Sequence, residues 1–275
     1  MEIVRTDPNG PFSRFRFPIP KETPMCIVLF RWQPGDAYPL AVSANRDEFH
    51  QRPAEPARWR GDVFCGLDLR AGGTWLGIHR DGRFAVVTNY REPVAERTVG
   101  ELSRGLLPQA FLESHQSPEL FCLSLEAEEH RYSGFNLLVG DRESLWYLSN
   151  RGPAAQPVKP GLHGLSNGIL DDPWPKVERG KQRLARVLDG AASNPPSLRD
   201  LLGVVVDPYQ PPEEDLPDTG VERELERLVA PIFIQSQQYG TRASSAVLLP
   251  REGAPMMREQ CWRADGEADG APTDS

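Results

Sequence analysis

The chain has 275 residues, of which 39% are hydrophobic and 25% charged, and its formal net charge is −8. That length can bury a sizeable core in one large domain, and the composition is globular rather than disordered. An acidic balance leaves no excess of Lys and Arg to displace counterions from phosphates, which speaks against non-specific nucleic-acid binding. No apolar run approaches the ~20 residues needed to cross a bilayer, so no integral membrane segment is expected.

Residues 1–24 are Pro-rich, polar and aperiodic, and do not read as a secretory signal. With Met25 they are expected to form a disordered or non-native extension (1–25), followed by one domain over 26–262 and a disordered acidic tail over 263–275. Cys26, Cys65, Cys122 and Cys261 are widely spaced, with no C-x-x-C or Cys/His metal spacing. A chain this large needs no disulfide staples, so a reducing, cytoplasmic compartment is expected.

The pattern changes at Met25. Cys26–Phe30 is an apolar run of strand length, and a second run over 39–44 follows a Pro-Gly-Asp turn. Further strands are predicted at 62–66, 74–79 and 83–89, with a hairpin turn at Arg80-Asp81-Gly82. Ser117-Pro118-Glu119 combines an N-cap, a first-turn proline and an acid, and opens a helix to about Glu128. Strands at 134–140 and 144–149 flank a turn at Asp141-Arg142. Helices are predicted over 176–188, ending at Gly190, and from Ser197 to Leu202. A Pro- and Asp-rich loop covers 206–220, a helix 222–230, and strands 232–235 and 243–249. Hairpin clusters without βαβ alternation predict α+β with antiparallel sheets.

Several segments carry unusual density of polar and glycine residues in a fixed order. They are Met25-Cys26, SANRDEFHQRP (43–53), LRAGGTWLGIH (69–79), VTNYREP (87–93), SGFNLLVGD (133–141), HGLSNGILDDPWPKV (163–177), LPDTG (216–220) and YGTRASSAVLL (239–249). On these residues the chain resembles the family named for Asn45-Arg46-Asp47-Glu48, the transport and Golgi organisation protein 2 homologues. That family in turn resembles the N-terminal-nucleophile hydrolases of the penicillin V acylase and bile salt hydrolase type. The resemblance implies a four-layer αββα sandwich of two mainly antiparallel sheets between helices. It also implies cleavage of a small-molecule amide, with no cofactor required.

In those hydrolases the first residue of the mature chain is both nucleophile and base, because a free α-amine with a pKa near ~8 can take the thiol proton. By resemblance that residue is Cys26. The chain departs from the pattern in that Cys26 is internal, preceded by Met25, so the expectation is that translation starts at Met25 or that the upstream segment is removed. Otherwise Cys26 is a small buried hydrophobe on the first strand.

Arg46 and Asp47 are assigned to support the thiolate and the amine, with Glu48 as an alternative acid; the bland reading is a surface ion-pair turn. Asn89 and Asn167 resemble the asparagines of an oxyanion hole, although each also suits a turn. Arg242 resembles a late arginine closing the site, or bridges loops structurally. Gly72-Gly73-Thr74-Trp75 lacks the spacing of a nucleotide loop and reads as a tight turn, with Trp75 near a pocket wall or in the core. Trp174 is expected to pin the helix after it.

The alternative implied by the family is binding and trafficking of haem or an acyl lipid on the same fold, without hydrolysis. Haem would need an axial ligand such as His79, His163 or Cys26. Loops 92–100 and 206–220 are expected to shape the pocket.

Overall fold

The computed structural model describes residues 25–93, 95–191 and 195–275. The expected extension over 1–24 lies outside the described residues, and Met25 begins the first strand. The strands of the first half are β1 (Met25–Trp32), β2 (Leu40–Phe49), β3 (Ala54–Arg60), β4 (Val63–Asp68), β5 (Leu76–His79) and β6 (Phe84–Asn89). Helices α1 (Leu106–Glu113) and α2 (Pro118–Glu126) precede β7 (Phe135–Gly140), β8 (Leu145–Ser149), β9 (Gln156–Pro157) and β10 (Gly161–Leu165). Helices α3 (Pro175–Gly190), α4 (Leu198–Val204) and α5 (Arg223–Leu228) lead into β11 (Tyr239–Leu249), β12 (Met256–Cys261) and β13 (Thr273–Asp274).

Two antiparallel sheets result. The first runs β10–β1–β2–β11–β12–β13, and the second runs β3 to β9 in chain order. Strand periodicity explains how they stack, because alternate side chains leave opposite faces. On β1, Val28, Phe30 and Trp32 enter the layer between the sheets, where they meet Phe64, Leu76, Phe84, Val86 and Tyr147. Ile27 and Leu29 leave the other face and pack with Val177 and Leu184 of α3 and Leu201 and Val204 of α4. Phe111 and Leu112 of α1 and Cys122 of α2 cover the second sheet beside Ala85, Leu137 and Leu148. The order helices, sheet, sheet, helices is the αββα sandwich the motifs implied.

Local signals hold where they are chemical. Ser117 Oγ accepts from the Leu120 amide at 3.2 Å and Ser197 Oγ from the Asp200 amide at 3.0 Å, as N-caps. Gly73 has a left-handed φ of 79°, and a Cβ there would lie 2.3 Å from the Gly105 carbonyl, so only glycine fits against the 99–105 segment.

Two expectations are corrected. Residues 232–235 form a bend and irregular chain rather than a strand, because Phe233 donates to the Asp207 carbonyl and Ile232 gives its carbonyl to Asn45. The acidic tail is ordered near its end: Arg258 holds Asp274 through two bonds of 2.6 Å and β13 pairs with β12. Strands β3, β10 and β12 and helix α1 carry no expectation from the sequence. β3 contains Pro56 within an edge strand, and α1 starts at Gly105 without a side-chain cap. Among the described residues no helix is long and apolar enough to cross a membrane.

Candidate active site

The inward face of β1 ends at Cys26, which sits opposite Arg46 on β2. Beyond these residues the apolar interlayer gives way to a cavity of about 760 Å³. Cys26, Arg46, Asn89 and Arg242 all line it, as do Glu48 and Trp75. Four of the six residues singled out from sequence therefore share one cavity.

Asp47 and Asn167 do not line it. The one-residue step from Arg46 turns the Asp47 side chain to the other face of the sheet, where it is fully buried. Its Oδ1 accepts from Thr241 Oγ1 at 2.6 Å, whereas its Oδ2 has no hydrogen-bond partner among the described residues. Asn167 supports the cavity from behind: its Nδ2 donates to the Asn89 carbonyl at 2.9 Å. The neighbouring Ser166 Oγ donates to the Cys26 carbonyl at 2.9 Å, so the 166–167 pair fixes both strand ends.

Arg46 lies in an ion-pair network. It approaches Asp68 at 3.2 Å and Glu48 at 3.7 Å, and Arg52 approaches the same two acids at 2.7 and 3.5 Å. Asp68 also accepts from the amides of Arg70 and Ala71, which ties the network to the glycine turn. Arg242 is the extra residue of a β-bulge between Thr241 and Ala243. Its Nη1 donates to the carbonyls of Phe49, His50 and Arg52 at 2.9, 2.9 and 3.2 Å. That is a loop-bridging role at the cavity wall.

With Met25 attached, the thiol of Cys26 is held protonated. Burial, then the Asp47 carboxylate, pushes its pKa up to about 12, against the opposing pull of Arg46 and the Asp47 amide. Burial likewise raises the Asp47 carboxyl and lowers the Lys176 ammonium, the two lying close enough to offset each other in part.

The histidines are engaged elsewhere. His79 Nδ1 pairs with Asp81 at 2.7 Å, and His163 lies between Asp171 at 2.7 Å and the Lys159 carbonyl at 2.8 Å. Neither lines the cavity; of the three candidate axial ligands only Cys26 does.

Sequence reasoning missed Asp68, Ser166, Thr241, Tyr239, Lys176, Arg91 and Glu226. Most of them lie inside the quoted motifs, so their neighbourhood was signalled although their contacts were not. Arg91 and Glu226 form a buried ion pair of 2.5 Å, and Met25 donates its backbone N–H to the Tyr239 hydroxyl at 2.5 Å.

The family model described as "Transport and Golgi organisation 2" matches residues 25–264. The chain belongs to that family. It is 35% identical over 254 residues to a transport and Golgi organization protein 2 homolog of Bos taurus, covering 83% of this chain and 90% of the relative. A homolog of Mus musculus is 33% identical over 252 residues, with the same coverage. Among solved structures, a variant of conjugated bile acid hydrolase from Clostridium perfringens superposes with a TM-score of 0.52 at 9% identity, covering 91% of this chain and 92% of that one. This chain thus has the fold of that hydrolase, and Cys26 of its first strand lines the cavity between the two sheets.

Proposed function

We propose that the protein is a cysteine amidohydrolase that cleaves a small-molecule amide C–N bond through a thioester on Cys26. In this reading the peptide bond between residues 25 and 26 is hydrolysed first, water leaving a carboxylate on residue 25 and a free amine on the Cys26 nitrogen. That amine takes the thiol proton, and Sγ attacks the amide carbonyl. The proton passes to the leaving amine as the C–N bond breaks. Water then attacks the thioester, releasing the acid and restoring the thiol.

The observation that carries the reading is that Cys26, Arg46 and Asn89 line one cavity in this fold. Arg46 favours the thiolate, and the Asn89 carboxamide is the candidate donor to the developing oxyanion, a role worth roughly 3–4 kcal/mol where it is made. Asp47, directly opposite residue 25, has an unpaired oxygen that suits an α-ammonium. The haem reading has less support, since His79 and His163 are held outside the cavity and leave only Cys26.

The test is intact-mass measurement of the protein from its native host, followed by labelling with a substrate-like electrophile. A chain beginning at Cys26, labelled once and protected by Cys26→Ala, is expected. Turnover by a chain that keeps residue 25, or undiminished labelling of Cys26→Ala, overturns the reading.

A further inference from the structure

Met25 fills a pocket whose chemistry suits an anion better than a thioether. Its side chain lies on the helix-facing side of β1, 1% exposed, against Val229, Ile234 and Tyr239. Arg91 spends its Nη1 on Glu226 at 2.5 Å and on Thr219 Oγ1 at 3.2 Å. The other edge of the same guanidinium is almost idle. Among the described residues Nη2 meets only Met25 Sδ, at 3.0 Å, and Nε has no hydrogen-bond partner. Sulfur is a weak acceptor, whereas this edge offers the two parallel donors that match a carboxylate.

A second cation reaches the same place. Lys176 is buried and, among the described residues, donates only to the Val229 carbonyl, at 3.0 Å. A void of about 10 Å³, lined by Arg91, Trp174, Lys176 and Glu226, adjoins them. Two acids face the region. Glu226 is already neutralised by Arg91 and by the Thr219 amide at 3.1 Å. Asp47 is the other, and burial pushes its pKa up, so that it takes a proton more readily than an ordinary carboxyl.

We propose that this pocket is a carboxylate-binding site, masked by the Met25 side chain and opened when that side chain leaves. The head of the ligand lies on the Nε–Nη2 edge of Arg91 with Lys176 beside it, and a short apolar stem takes the place of the methionine side chain against Val229 and Ile234. The native ligand is a small carboxylic acid, or the carboxylate arm of a larger one entering where residue 25 departs. The site depends on the hydrolase reading only in sharing the loss of residue 25; its chemistry does not involve the Cys26 thiol.

The experiment uses the full chain with Met25→Gly, which deletes the side chain and keeps the backbone. Butanoate, 1-butanol and ethyl methyl sulfide are the probes, read by calorimetry and thermal shift. Butanoate is expected to bind Met25→Gly saturably and at least about tenfold more tightly than either neutral probe, and not to bind the unaltered chain. Adding Arg91→Lys, which keeps the charge but removes the fork, is expected to weaken butanoate about tenfold. Adding Cys26→Ser, which removes the proposed nucleophile, is expected to leave butanoate affinity unaltered, so failure of the catalytic reading leaves this result intact. Should Met25→Gly fold poorly, butanoate and not butanol is expected to restore its melting transition. Equal binding of a neutral probe, butanoate binding that survives Arg91→Lys or occurs in the unaltered chain, or no rescue of a poorly folded variant would each overturn the proposal.

Discussion

Met25 and Asp47 are cross-strand partners on one face of the β1–β2 pair, and among the described residues Asp47 Oδ2 is left without a hydrogen bond, beside a side chain that has no charge to offer it. Folding therefore buries an acid whose pKa rises above its ordinary 3.8, with burial as the largest cause. An acid with a raised folded-state pKa binds more protons folded than unfolded, so stability falls as pH rises from about 4 toward neutrality. Asp47→Asn in the chain that keeps Met25 is accordingly expected to be more stable than the parent at pH 7, with the gap closing below pH ~4. In a chain beginning at Cys26 the α-ammonium supplies the missing partner, and the sign is expected to reverse. Urea titration of both pairs across pH decides it.

The thiol gives a second pH readout. With its pKa pushed up to about 12, only about one thiol in ten thousand is ionised at pH 8 in the Met25-bearing chain, and alkylation of Cys26 is expected to be slow and to climb through pH 10. Removing Arg46, which favours the thiolate, should slow it further in Arg46→Gln; Asp47→Asn should quicken it. Stopped-flow alkylation with a small electrophile measures both, and equal rates for the two variants would contradict the assigned electrostatics.

The fold and the cavity's inner wall were legible in the sequence for different reasons. The strands β1, β2, β6 and β7 are apolar enough to read directly; Asn89 closes β6 where an apolar run ends, Arg46 stands in the polar second half of β2, and Cys26 opens the apolar run of β1. Side-chain direction was less legible. Asp47 and Arg46 are adjacent in one motif, yet strand alternation sends them to opposite faces, and only the pairing register reveals which. Arg91, Lys176, Glu226 and Tyr239 come from four distant segments, and no local pattern says that they meet at Met25.

Asn89 and Asn167 separate a chemical role from a supporting one. Asn167 is 1% exposed and its Nδ2 bonds the Asn89 carbonyl at 2.9 Å. Asn167→Ala leaves that partly buried carbonyl short of a donor, at a cost of about 1 kcal/mol in denaturation experiments. Asn89→Ala keeps its backbone carbonyl, so the Asn167 bond survives in that variant. If its carboxamide stabilises the oxyanion, Asn89→Ala should lower kcat by about 10²–10³ with KM nearly unchanged. The reverse distribution of effects would move the oxyanion donor elsewhere.

Arg242 lines the cavity while donating to three carbonyls of the turn after β2. If bridging is its work, the cost of losing it falls on folding. Hydrogen bonds from a charged donor contribute about 1.5–3 kcal/mol each at most, and these three share one nitrogen, so Arg242→Ala is expected to lose about 2 kcal/mol. Arg242→Lys keeps the charge but replaces a planar fork by a point donor and should recover only part of that loss. Labelling of Cys26 by a neutral electrophile should be unaffected in Arg242→Lys, because the guanidinium is committed to backbone oxygens and not to the thiol. A substrate-binding role predicts the opposite split: an unchanged denaturation midpoint and a raised KM confined to substrates bearing an anionic group. Measuring midpoint, labelling rate and KM on the same two variants assigns this residue to the frame of the site or to its recognition surface.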